Sequence, residues 1–146
     1  MLKSTTYNIQ MADIRTLDAE KYNVALAKAL KADGLVEKQE WVDYVKTGVG
    51  KQRPTADPDF WYTRAASILR QIYVRKVVGV ERLRTRFGGR KDMGMAPPKF
   101  APAGGKIIRK ILQQLDASGL TEKAVGKKPG RQLTVKGKQF MEAVKV

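Results

Sequence analysis

The side chains able to do chemistry in this sequence are cationic. It holds 29 Lys+Arg against 14 Asp+Glu, with neither histidine nor cysteine. That composition removes disulfides, thiolate metal sites and every Cys/His or Ser/His nucleophile. Asp57 and Asp59 flank Pro58, so they read as helix-start residues and not as a metal pair. Gly104-Gly105-Lys106 lacks both the upstream glycine spacing and the following Ser/Thr of a phosphate-binding P-loop. The chemistry left is recognition of anions, and the chain reads as a non-enzyme with no cofactor, no metal and no small-molecule substrate.

The cations are unevenly placed. The formal charge is +15, of which residues 57–146 carry +13 and residues 1–56 only +2. A pI near 10.2 points to a polyanionic partner, either nucleic acid or an anionic membrane surface. At 42% hydrophobic residues, 146 residues can bury the core of one domain. No apolar run approaches the ~20 residues of a membrane span, and MLKSTTYNIQM has no signal-peptide core. A soluble intracellular protein is the default expectation.

Residues 1–15 lack periodicity and read as a flexible leader before a single domain over 16–146. Asp18 suits a helix N-cap, and Tyr22, Ala25, Leu26, Ala29 and Leu30 recur on one face, with Gly34 as the stop. Trp41 to Val45 reads as a short amphipathic turn. The run DPDFWYTRAAS then crowds three aromatics together, where a helix core wants spacings of three and four. Asp57 as N-cap and Pro58 at the first position start this helix, and Trp61, Ala65, Ile68, Leu69 and Ile72 form its buried stripe. Arg64 flanks the stripe, Arg70 takes the opposite face, and Arg75 and Lys76 close the helix at its negative end.

Arg82, Arg84 and Arg86 alternate, which on an extended segment puts them on one face. Phe87-Gly88-Gly89-Arg90-Lys91 opens a long Gly/Pro loop to Gly105, in which the amides of Gly88 and Gly89 and the flanking arginines suggest a phosphate clamp. Ile107, Ile108, Ile111, Leu112 and Leu115 make a further helix inward, with Lys106, Arg109 and Lys110 on its outer part and Gly119 as its stop. Leu120–Val125 and Arg131–Thr134 read as a hairpin tipped by Lys127 and Lys128, and Thr134 caps a last helix burying Phe140, Met141 and Val144. The fold class is mainly α: a helical domain with winged-helix-like character and one basic β-hairpin.

Phe60-Trp61-Tyr62-Thr63-Arg64-Ala65-Ala66-Ser67 resembles the small-subunit ribosomal protein nineteen of the eukaryotic and archaeal type. Further matches follow in order: Trp41-Val42-Asp43, Phe87-Gly88-Gly89-Arg90, Lys106 to Leu115, and Arg131-Gln132-Leu133-Thr134 with Gly137. The resemblance runs from about Ile14 to the end. It implies a structural constituent of the small subunit, seated in its head against small-subunit rRNA and neighbouring head proteins, and required for late precursor rRNA processing. It also implies a cytoplasmic ribosomal location, with nucleolar passage in a eukaryote. The RNA-facing arginines it carries over are Arg64, Arg70, Arg90 and Arg109, and Lys110 stands where relatives often have a second arginine. The rival readings are a winged-helix DNA-binding regulator, whose cations would gather on one recognition helix, and a peripheral membrane protein, which would need an exposed apolar helix face.

Overall fold

The computed structural model describes residues 13–145. Most of the expected leader, residues 1–12, lies outside that range; Asp13 to Thr16 form a turn that buries Ile14. Helix α1 (Ala19–Ala32) starts where Asp18 Oδ1 accepts from the Glu20 amide at 3.0 Å. It stops at Gly34, whose φ of +60° lets the Leu35 amide fold back to the Leu30 carbonyl. A 3-10 turn over Glu40–Tyr44 follows and buries Val42.

Helix α2 (Phe60–Arg75) is the centre of the molecule, packed by α1 on one side and burying seven residues. It starts two residues later than Asp57-Pro58 suggests. The Asp57 carboxylate closes a preceding turn by accepting from the Asp59 amide at 2.9 Å, while Asp59 pairs with Lys31 at 2.7 Å. The helix ends at Lys76, whose φ of +68° allows the Val77 amide to reach the Arg75 carbonyl at 2.9 Å, a tight γ-turn.

Two expectations for the next segment are corrected. Val80–Phe87 is a helix, α3, and not an extended run, so Arg82 and Arg86, four apart, share a face while Arg84 is turned away from them. Leu83 is buried and anchors it, with Phe87 one turn on also against the core. The Gly/Pro loop is a second hairpin: β1 (Gly89–Met93) pairs antiparallel with β2 (Ala96–Ala101), turning at Gly94 with φ +74°. Pro97 and Pro98 masked it, because prolines argue against strand; here they lie opposite a register shift between Lys91 and Met93.

Helix α4 (Gly105–Ala117) turns five buried aliphatics inward and ends at Gly119, φ +75°. Strands β3 (Thr121–Lys123) and β4 (Arg131–Leu133) form the other hairpin, and α5 (Val135–Ala143) begins where the Thr134 hydroxyl accepts from the Gly137 amide at 3.1 Å. A Cβ on Gly137 would collide with the Leu120 carbonyl, so this glycine lets α5 close on the hairpin. Val78 and Arg131 exchange backbone hydrogen bonds of 3.1 and 2.9 Å, adding a short third edge beside β4. The Tyr22 hydroxyl ties α1 to α5, donating to the Met141 carbonyl at 2.7 Å; burial pushes its pKa up to about 12.

Asp116 holds the end of α4 to both strands. Its carboxylate accepts from the buried Thr121 hydroxyl at 2.6 Å and from Arg131 Nε at 2.8 Å. Asp116→Ala strands both donors and is expected to cost about 1–3 kcal/mol in thermal unfolding, with Asp116→Asn nearer wild type. Equal stability of Asp116→Ala and wild type would remove this tie.

Candidate nucleic-acid interface

The crowded aromatics have separate duties. Trp61 is fully buried, and its Nε1 donates to Gln114 Oε1 at 3.0 Å on α4. Phe60 is also buried, and Tyr62 lies half-buried under the Lys31 ammonium, 5.6 Å from the ring centre. Arg64 sits one turn above Phe60, with its guanidinium 5.0 Å from that ring centre and 4.2 Å from that of Phe87 on α3. Burial lowers its pKa to about 10, so it stays a cation at neutral pH. No carboxylate pairs with it among the described residues. Arg64 is thus a half-buried strut between two aromatic faces.

The N-terminal end of α4 gathers further cations. Arg84 holds Ala103 twice: its Nε donates to the Ala103 carbonyl at 3.0 Å, and its own carbonyl accepts the Ala103 amide. Its Nη1 pairs with Glu81 at 2.9 Å, so Arg84 is largely occupied within the protein. A Cβ on Gly105 would lie 2.8 Å from Arg109 Nη1 and 3.4 Å from Arg84 Cδ, so the two arginines converge over this glycine. Lys106, Arg109 and Lys110 occupy the outer, exposed face of α4. The Lys106 ammonium is 4.3 Å from the Trp41 ring centre, and Trp41 meets Trp61 edge-on at 5.9 Å. The buried Trp61 thereby backs an exposed cation through Trp41.

Beside this lies the β1–β2 ribbon with Arg90 and Lys91, both exposed. Gly88 has a packing reason: a Cβ there would come within 2.7 Å of the Ala101 carbonyl and 2.8 Å of Phe100 Cζ. Its amide donates to the Thr85 carbonyl, so it is not free to clamp an anion; Gly89 is paired with Ala101 in the ladder and is open to solvent on its Cα side. Lys99 and Phe100 on β2 complete the ribbon and were missed, because a segment read as loop has no faces to assign. Arg86 is exposed at the end of α3.

Two residues, Arg70 and Arg131, are placed elsewhere than expected. Arg70 is half-buried, its Nε without a hydrogen-bond partner among the described residues, and its charge offsets part of the upward shift of Tyr22; it is not on an open opposite face. Arg131 is spent on Asp116. Lys76 is exposed at the end of α2, as expected, and lines a cleft of about 720 Å³ with Arg15 and Lys138 as well as Glu122 and Glu142. Arg75 is exposed at the end of α2. Lys127 and Lys128 lie with Arg82 around a second cleft, of about 500 Å³, walled by Val77, Val80 and Pro129.

The sequence profile of the family described as Ribosomal protein S19e matches residues 13–145. The chain belongs to that family. The S19e chain is 40% identical over 131 residues to the small ribosomal subunit protein eS19 of Oryza sativa subsp. japonica, covering 90% of this chain and 88% of that protein. It is 44% identical over 108 residues to the eS19 protein of Aeropyrum pernix, covering 73% and 69%. It is 37% identical over 131 residues to the eS19A protein of Schizosaccharomyces pombe, covering 90% of each. An S19e protein is a structural component and not an enzyme. The motifs that carried the resemblance have structural work in this S19e chain: Trp41 backs Lys106, Arg64 bridges α2 and α3, Arg131 binds Asp116, and Thr134 with Gly137 starts α5.

Proposed function

We propose that this chain is a structural constituent of the small ribosomal subunit, binding small-subunit rRNA in the head beside neighbouring head proteins and needed for late precursor rRNA processing. The observation that carries the reading is a surface of unneutralised cations on α3, α4 and the β1–β2 ribbon. Arg86, Arg90, Lys91, Lys106, Arg109 and Lys110 are all exposed, and none forms an ion pair among the described residues. Folded RNA is recognised mainly through phosphate, 2′-OH and stacking contacts, which such a surface supplies. Relatives bearing the small-subunit name support the setting. Location in the cytoplasmic ribosome, with nucleolar passage in a eukaryote, follows from the same reading, as does a single RNA-binding domain over residues 16–146.

The winged-helix character belongs to this proposal. The order α2, the Val78 bridge, α3, α4, β3, β4 resembles the helix, strand, two helices and two-stranded wing of that fold, with a single bridging residue in place of the strand and the β1–β2 ribbon inserted between α3 and α4. In that arrangement α4 is the recognition helix, and its outward Lys106, Arg109 and Lys110 suit the role. A DNA-binding regulator is not favoured, since cations also occupy the ribbon, the β3–β4 turn and α3. Among the described residues no helix is long and apolar enough to cross a membrane.

Sedimentation through a magnesium-containing sucrose gradient should place the protein with small subunits, and cells depleted of it should accumulate precursor rRNA. The isolated protein should bind a small-subunit rRNA transcript with an affinity that falls steeply as salt rises, by about 10³-fold or more between 50 and 200 mM if six or more phosphates are contacted. A flat salt dependence, or equal affinity for duplex DNA at matched salt, would overturn the reading.

A further inference from the structure

The β1–β2 ribbon is the part of the molecule that the core explains least. Every residue from Arg90 to Phe100 is exposed, on both faces of a two-stranded sheet. An isolated ribbon of this size is marginal in water, and only its base is braced, by Gly88 under Phe100 and by Ala103, which Arg84 holds and which bridges to Gly48. Among the described residues, the side chains beyond the base make no hydrogen bond or ion pair with the rest of the protein.

Their register is informative. Lys91 stands directly across from Lys99, and Arg90 directly across from Phe100. Directly paired residues share a face and neighbouring pairs alternate, so one face carries the two lysines and the other the arginine and the aromatic. Like charges opposite one another destabilise a ribbon. The acid within β1, Asp92, is engaged in the turn, accepting from the Gly94 amide at 2.9 Å. Among the described residues neither Lys91 nor Lys99 forms an ion pair, with Asp92 or with any other carboxylate. On the other face, Phe100 brings the tip of its ring, Cζ, against Gly88 and stays 56% exposed. Pro97 and Pro98 remove two amide donors from β2, which makes it a poor edge for an added protein strand and leaves side chains as the means of contact.

We propose that this ribbon reads RNA with its two faces: Lys91 and Lys99 share a backbone phosphate, while Phe100, beside Arg90, stacks an unpaired base. The assignment rests on the RNA reading above and adds Lys99 and Phe100 to it. A phosphate between the lysines supplies the missing counter-charge, so binding relieves a repulsion present in the free protein. The exposed ring, anchored at its tip over Gly88, offers a base a surface on which to stack.

The register supplies an unusual test. Lys91→Glu turns a like-charge pair into an opposite-charge pair, so the free full-length protein should melt at the wild-type temperature or slightly above it. Its affinity for a transcript of the small-subunit rRNA head region should nevertheless fall about tenfold or more, with a shallower salt slope, by roughly one phosphate contact. Lys99→Glu should behave alike. Phe100→Ala should lose roughly tenfold in affinity while the salt slope stays unchanged, because stacking displaces no counterions. If the wild type binds the transcript and all three variants match it in affinity and slope, the ribbon assignment is overturned and the RNA reading survives. If the wild type itself does not bind, both fall. Variants that bind the transcript normally yet fail to enter subunits would give the ribbon to a protein neighbour and overturn the proposal.

Discussion

Trp61→Ala is expected to cost about 3–5 kcal/mol, the range for deleting a large buried aromatic. The indole is fully buried in α2 and meets Trp41 edge-on. Its Nε1 donates to Gln114, whose Nε2 donates in turn to the Glu37 carbonyl at 2.8 Å. One residue thus ties α2 to α4 and to the segment before the 3-10 turn. Removing it leaves a cavity and takes away the partner of the Gln114 carbonyl. For a chain of this size the midpoint of thermal unfolding should drop by roughly 10 °C or more. Trp61→Phe, which keeps much of the volume but loses the donor, should fall between the two. An unchanged midpoint for Trp61→Ala would show the side chain exposed and the α2 register wrong.

Arg64→Glu should fail before assembly is reached. The guanidinium lies between the Phe60 and Phe87 rings, whose negative faces attract a cation and repel a carboxylate. Losing the attraction and burying an unpaired carboxylate should together cost about 2–4 kcal/mol. The variant should melt low and be scarce in cells, whereas Arg64→Lys should recover part of the stability. Arg109→Glu is the informative contrast, because Arg109 is exposed on the outer face of α4. It should melt normally yet enter small subunits poorly. A stable Arg64→Glu protein that incorporates at normal levels would remove Arg64 both as a strut and as an RNA contact.

The two arginines also mark how far sequence reasoning reaches. Arg64 and Arg109 both look like helix cations beside an apolar stripe. What separates them is Phe87, 23 positions after Arg64 in the chain, whose ring covers one guanidinium and not the other. Sequence distance hides such a pairing. Arg84 and Arg131 behave similarly, since the carbonyl of Ala103 and the carboxylate of Asp116 that occupy them come from other elements.

Local rules settled a good deal. The stripes of α1, α2 and α4, the caps at Asp18 and Thr134, the stops at Gly34 and Gly119, and the β3–β4 hairpin depend on contacts within a few residues, so periodicity and cap chemistry specify them. The charge asymmetry and the family motifs were equally legible along the chain. The α3 helix and the β1–β2 ribbon were not. Eight residues with a single buried leucine give too little periodicity to separate helix from strand, and two adjacent prolines silence a strand signal that the register shift accommodates. The sequence by itself determined a basic, mainly helical protein of the S19e type and most of its core. Which cations remain free to meet a partner was decided only by tertiary packing, because neutralisation by a ring, a carbonyl or a carboxylate requires groups brought together from distant parts of the chain.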